Sequence, residues 1–155
     1  IFEDNALWPV KELVPTDLDF LIPIGKADIK KTGSDVTLVA ISGCRLEAMK
    51  AAEALEDEGI SVEVIDPRTL VPLDKETIIN SVAKTGRLVI VDSANRTCNA
   101  AAEIAAIVAE EAFESLKKPI QRLSTPDVHI PFSPALETQL YPSKASIMAA
   151  VKKIL

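Results

Sequence analysis

The stretch Val62-Glu63-Val64-Ile65-Asp66-Pro67-Arg68-Thr69-Leu70-Val71-Pro72-Leu73-Asp74 constrains this chain most. A short apolar strand runs into a polar elbow, and a second proline precedes a helix start. This is the form of the carboxyl end of a parallel strand, where α/β proteins keep their loops. Asp74 is placed to cap the helix that follows, which runs through about Val82 with Ile78, Ile79 and Val82 inward. Gly86 ends it.

The same pattern recurs on either side. Val36 to Ile41 is a continuous apolar strand, as expected of one buried on both faces. Ser42-Gly43 then opens a helix from about Arg45 to Glu58, with Leu46, Met49, Ala52 and Leu55 inward and Gly59 as its stop. Arg87 to Val91 reads as another buried strand. An alanine-rich helix from about Asn99 to Leu116 follows, with Ile104, Ile107, Val108 and Phe113 facing in, and Pro119 stops it. Ile120 to Leu123 is a short strand, and residues 124–142, with four prolines and no period, are a long surface loop. Pro142 or Ser143 opens a terminal helix with Ile147, Val151 and Leu155 on one stripe. Before all of these, Gly25 to Lys31 alternates weakly, as an edge strand does, and Lys26, Lys30 and Lys31 discourage edge-to-edge pairing. The tight Gly33-Ser34 turn makes this strand antiparallel to the next. Right-handed crossovers then give a three-layer α/β/α sandwich around a mixed, mostly parallel five-stranded sheet, its first strand antiparallel at the edge.

The 155 residues fit one domain. Residues 1–23 read as a linker that wraps a surface, and residues 24–155 as the domain. Phe2, Leu7, Trp8, Val10 and Leu13 make the lead-in apolar, while Pro9, Pro15 and Pro23 break any long element. Trp8 is expected to lie buried against a neighbour. The start at Ile1, in mid-phrase and without Met, suggests a piece of a longer protein. The net charge of −6 argues against nucleic acid or an anionic membrane as partner. The longest apolar runs are too short to span a bilayer. Cys44 and Cys98 do not make a disulfide framework and read as thiols of a cytoplasmic protein.

Chemistry-bearing patterns are sparse. Gly25, Gly33, Gly43, Gly59 and Gly86 stand at no phosphate-loop spacing. Ser42-Gly43 lies at a helix start suited to an anion, but a plain strand-to-helix turn accounts for it. His129 is the one histidine and reads as a surface or interface residue rather than a base. Neither cysteine has a local histidine, and no metal-ligand spacing is present. Asp66 and Asp92 end strands as a phospho-acceptor would, yet Ile41-Ser42-Gly43 stands where an acidic pair would be needed. Asp66 is expected to pair with Arg68 or to cap the elbow. What remains is interaction. The loop from Thr125 to Pro134 is apolar enough to want cover. Its prolines lower the entropy lost when a partner fixes it. Packing on its own domain accounts for this loop equally well.

Several phrases carry a family resemblance: Ile22-Pro23-Ile24-Gly25-Lys26-Ala27, Gly33-Ser34-Asp35-Val36-Thr37-Leu38-Val39, Ile65 to Asp74, Lys84-Thr85-Gly86-Arg87-Leu88-Val89, and Pro126-Asp127 with Ile130-Pro131-Phe132-Ser133-Pro134. Together they resemble the C-terminal, transketolase-like domain of the E1 β-subunit of pyruvate, branched-chain 2-oxo acid and acetoin dehydrogenases. The resemblance runs from about residue 1 to the end, and Ile1 to Trp8 looks like the last piece of a preceding pyrimidine-binding domain and its linker. It implies a parent enzyme that uses thiamine diphosphate and Mg, bound by domains outside this chain. That enzyme decarboxylates a 2-oxo acid or cleaves acetoin, and acylates a lipoyl group on E2. The implied partners are the E1 α-subunit, a second E1 β-subunit and the E2 subunit-binding domain. The residues assigned to dimer contacts and docking are Trp8, Asp127, His129, Phe132 and Leu155; none is assigned to catalysis, cofactor or metal. Asn95-Arg96-Thr97-Cys98-Asn99-Ala100 departs from the glycine-rich phrase common in the family toward the Cys-containing form of acetoin-type enzymes. Lys117 stands where the family tends to carry an acidic residue.

The alternative is a free-standing α/β binding or regulatory module. The coding sequence upstream of Ile1 separates the two: a pyrimidine-binding domain immediately before it decides for the E1 β-subunit.

Overall fold

A computed structural model describes residues 4–155 of the chain; the expectation for Phe2 lies outside them. Five strands form one sheet: β1 (Asp28–Lys31), β2 (Val36–Ala40), β3 (Val62–Asp66), β4 (Leu88–Asn95) and β5 (Gln121–Thr125), in the spatial order β1-β3-β2-β4-β5. β2, β3, β4 and β5 are parallel, and β1 is antiparallel at the edge. Helices α1 (Cys44–Asp57), α2 (Lys75–Thr85) and α3 (Ala100–Glu111) are the crossovers; a single turn α4 (Pro134–Glu137) and a terminal helix α5 (Lys144–Lys153) follow.

The pleat sorts each strand between two cores. Val36, Leu38, Ala40, Val62, Val64, Val89 and Val91 face α1 and α5, where Ala48, Leu55, Ile147 and Val151 meet them. Val39, Ile65, Leu88 and Ile90 face the other way, against Ile78, Val82, Ile104 and Val108 of α2 and α3. The result is the expected three-layer sandwich. Polar residues on the α2 side are paired. Thr37 Oγ1 shares hydrogen bonds with Ser81 Oγ at 2.7 Å and Thr85 Oγ1 at 2.8 Å. The buried carboxylate of Glu63 takes the Lys84 ammonium and the Gly33 amide.

β1 runs in the expected direction, but its neighbour is β3 rather than β2. The reason is that β2 is central: β3 and β4 occupy both of its edges. The Gly33 turn therefore crosses the start of β3 instead of closing a hairpin. A Cβ on Gly33 would lie 2.2 Å from the Val62 carbonyl carbon, so glycine is needed for this close crossing. Asp35 holds the crossing by accepting from Ser61 N at 2.8 Å.

Two helix ends and one buried stripe differ from expectation. α3 stops at Glu111 and gives way to a 3-10 turn, Phe113–Ser115; the change of phase leaves Phe113 70% exposed and puts Ala112 inside. α5 ends at Lys153, so Ile154 completes the stripe of Ile147 and Val151, and Leu155 is 39% exposed. In α1 the buried stripe is Cys44, Ala48, Ala51, Ala52 and Leu55, with Leu46 and Met49 half-buried beside it. The caps follow expectation: Asp74 accepts from Thr77 N at 3.2 Å, Gly86 ends α2 at φ 74°, and Ser143 opens α5 with a capping box to Ser146.

Candidate functional site

The four parallel strands deliver their loops to one edge of the sheet, and three of these carry a non-glycine residue in the left-handed region: Ser42 (φ 54°) after β2, Arg68 (φ 56°) after β3, and Cys98 (φ 58°) after β4. Such conformations cost energy for residues with a Cβ and persist only where neighbours impose them. All three lie at the carboxyl edge.

At the β3 elbow, Asp66 Oδ1 accepts from the Arg68 amide at 2.9 Å, the capping role expected for it. The Arg68 guanidinium turns instead to Asp28 Oδ2 at 2.7 Å on β1. Thr69 Oγ1 donates to the Pro72 carbonyl and accepts from the Gly25 amide, and Asp74 Oδ2 accepts from the Ala27 amide at 3.0 Å. Burial pushes the Asp74 carboxyl up, but the Ala27 and Thr77 donors outweigh it and hold the group below the usual carboxylate range.

The β4 and β5 loops are stapled together. Asp127 accepts from Thr97 N at 3.1 Å and from Thr97 Oγ1 at 2.7 Å, and these bonds lower its carboxyl below the usual range. Thr125 Oγ1 donates to the Ser93 carbonyl at 2.7 Å, Asn95 Nδ2 to the Pro126 carbonyl at 2.9 Å, and Asn99 Nδ2 to Ser124 Oγ at 2.8 Å. These bonds hold up a loop whose apolar side chains are not covered by this chain: Val128, Ile130 and Phe132 are exposed, the last completely. His129 is exposed among them. Leu70 and Val71 add exposed apolar surface to the β3 elbow at this edge.

The structure thus gathers Asp127, His129 and Phe132 on one loop. Trp8 is 69% exposed on the isolated chain rather than buried within it, and stands on the lead-in, its amide donating to the Asn5 carbonyl. Leu155 is not brought to the others. Its carbonyl accepts from Arg87, which immediately precedes β4, so Leu155 lies at the amino edge of the sheet. Sequence reasoning missed the Glu12–Arg45 ion pair (2.7 Å) because the lead-in has no periodicity to mark it.

The thiol of Cys44 is a protonated group: burial, with the nearby Asp92 charge, pushes it up to about 11. Cys98 is an exposed free thiol. Among the described residues no group of three His, Cys, Asp or Glu side chains is placed to hold a metal ion, and the five glycines form no phosphate loop. The donor set among the described residues does not fit a metal–diphosphate cofactor. No helix among the described residues is long and apolar enough to cross a membrane.

A sheet buried between helix pairs, with an antiparallel edge strand, defines a three-layer α/β domain. More narrowly, the chain belongs to the family of transketolase C-terminal domains, whose pattern it matches over residues 25–147. It is 45% identical over 154 residues to the acetoin:2,6-dichlorophenolindophenol oxidoreductase subunit beta of Bacillus subtilis, covering 99% of this chain and 45% of that protein. To the pyruvate dehydrogenase E1 component subunit beta of Staphylococcus epidermidis it is 44% identical, covering 94% of this chain and 44% of the relative. A solved structure titled split gene transketolase, inactive beta4 tetramer, superposes with a TM-score of 0.78 at 29% identity, over 94% of this chain and 46% of that one. The chain spans a little under half the length of each of these three.

Proposed function

We propose that this chain is the C-terminal domain of the E1 β-subunit of a 2-oxo acid or acetoin dehydrogenase complex. It serves subunit assembly and E2 docking and does not catalyse alone. The parent enzyme would use thiamine diphosphate and Mg, held by the parts of the relatives that this chain does not span. Its partners would be an E1 α-subunit, a second β-subunit and the E2 subunit-binding domain, in the cytoplasm, where Cys44 and Cys98 remain thiols. The family match and the names of the relatives support this reading, as does the tetramer of beta chains named for the structural neighbour.

The observation that carries it is the Val128–Phe132 loop. The residues that lead into it, Pro126 and Asp127, are held by Asn95 and Thr97, and its apolar side chains stand in solvent. A loop pinned at its root and carrying prolines loses less entropy on docking than a free one. Trp8, His129 and Leu155 are the further contact residues of the proposal, and Asp127 acts by shaping the loop. Sedimentation equilibrium tests it. The chain is expected to self-associate, and Phe132→Asp to shift it toward monomer by at least about tenfold in Kd, the scale of a lost aromatic anchor. An unchanged distribution would remove Phe132 from the interface.

A further inference from the structure

The lead-in leaves the domain and returns to it beside one loop. Glu12 Oε1 accepts from Arg45 Nη1 at 2.7 Å, and Arg45 Nε lies 3.8 Å from Asp66 Oδ2 at the end of β3. The Gly25 amide donates to Thr69 Oγ1 at 3.0 Å, and a Cβ on Gly25 would lie 2.9 Å from Pro72 Cγ. Both roots therefore rest on or beside the β3 elbow, and the twelve residues between them, 13–24, form an arm. All twelve are exposed. Among the described residues, the hydrogen bonds of the arm are those of its own turn. There the Asp17 carbonyl accepts from the Phe20 amide at 3.2 Å, and the Asp17 carboxylate from the Asp19 amide at 3.0 Å. Seven of the twelve residues are apolar, from Leu13 to Ile24, each at half exposure or more. With Leu70 and Val71 of the elbow they present an apolar surface on the order of 800 Å². That is more than a lone domain usually leaves bare, and about what one partner of a specific interface buries.

Building on the assembly role given above, we propose that this arm is a self-complementary interface, covered by the same arm of a second copy lying antiparallel to it about a two-fold axis. Charge selects that occupant. Lys11 and Lys26 stand at the two roots, and Asp17 and Asp19 at the tip. All four are exposed, and none has an ion-pair partner among the described residues. In an antiparallel pair each acidic tip meets the partner's basic roots; in a parallel pair tip would oppose tip. Two acids against two lysines leave the arm neutral, whereas the net charge of −6 sets copies against each other elsewhere. A two-fold contact uses one patch for both subunits, so no second surface of the chain has to match it.

Sedimentation equilibrium reads the pairing. Leu18→Asp with Leu21→Asp is expected to raise the dimer Kd at least about tenfold, as loss of central apolar anchors does. Both side chains stand in solvent, so the fold does not depend on them. Reversing the tip, Asp17→Lys with Asp19→Lys, is expected to raise Kd about tenfold, and adding Lys11→Glu with Lys26→Glu to the same chain to restore it. A tip reversal that the root reversal fails to rescue would overturn the antiparallel pairing. The Phe132→Asp chain separates the arm from the loop interface. Association that yields to Phe132→Asp and ignores every arm variant would overturn the arm and leave the assembly role standing. Association that yields to the arm variants and ignores Phe132→Asp would establish the arm and remove Phe132. A chain that stays monomeric at about 1 mM would overturn the pairing and assign the arm to a different subunit or to another part of the parent protein.

Discussion

The guanidinium of Arg87 closes the end of α5: its Nε donates to the Ile154 carbonyl at 2.9 Å, and its Nη1 reaches the Asp35 carbonyl at 3.2 Å. A fixed cation at a helix C-terminus satisfies carbonyls that have no partner within the helix and opposes the negative end of its dipole. One half-buried side chain thus ties the last helix to the sheet and to the turn before β2. Arg87→Ala is expected to cost about 2 kcal/mol in urea unfolding, the scale of charge-assisted hydrogen bonds lost at a helix end. Arg87→Lys should recover only part of it, because a point charge does not reproduce the fork. A change under about 0.5 kcal/mol for Arg87→Ala, within the range of ordinary surface substitutions, would show that α5 docks by its apolar stripe alone.

Glu63 sets a pH dependence. Burial pushes its carboxyl up, but Lys84, Ser81 and the Gly33 amide outweigh burial and bring it below its ordinary value of 4.5. A carboxyl whose pKa is lower folded than unfolded binds its proton more weakly in the native state. It therefore adds stability above pH 4.5 that is lost as pH falls through the folded value. Glu63→Gln is expected to destabilise the chain by about 2 kcal/mol at pH 7, the scale of a broken buried charge-assisted contact. The gap from wild type should narrow as the pH drops below 4.5. Urea midpoints for both proteins from pH 7 to pH 3 check it (a range of about four units that brackets ordinary carboxylates); a constant gap would contradict it.

Gly33→Ala places a methyl group 2.2 Å from the Val62 carbonyl carbon and 2.3 Å from the Glu63 nitrogen, both backbone atoms that cannot swing aside. The expected loss is about 3 kcal/mol, as for a severely overpacked position. Thermal denaturation measures it. Wild-type stability in this variant would mean that β1 and β2 join as a hairpin, away from β3.

Asp127→Ala removes both acceptors that hold Thr97. The expected effect is local: amide exchange at Thr97 and Val128 should quicken, while the core strands keep their protection. Loss of protection throughout β4 and β5 would assign Asp127 to the core of the fold instead.

The fold was legible because its rules are periodic. Runs such as Val36–Ile41, caps such as Asp74 and stops such as Gly86 each fix an element locally. The neighbour of β1 was not legible, because it depends on which edges of β2 are already taken. Phe113 and Leu155 were misplaced for a related reason: each lies just beyond the last full turn of a helix, where the 3.6-residue phase no longer holds. At the site, the loop carrying Asp127, His129 and Phe132 was marked by its prolines and apolar residues. The internal use of Asp127 was not, since Thr97 lies on another strand's loop. Arg45 and Glu12 are thirty-three residues apart and gave no sequence signal.

Isothermal titration of thiamine diphosphate with Mg into the isolated chain bears most directly on the claim that this domain holds other subunits together and leaves cofactor chemistry to them. Only heats of dilution are expected. A saturable isotherm with one cofactor per chain would contradict that claim.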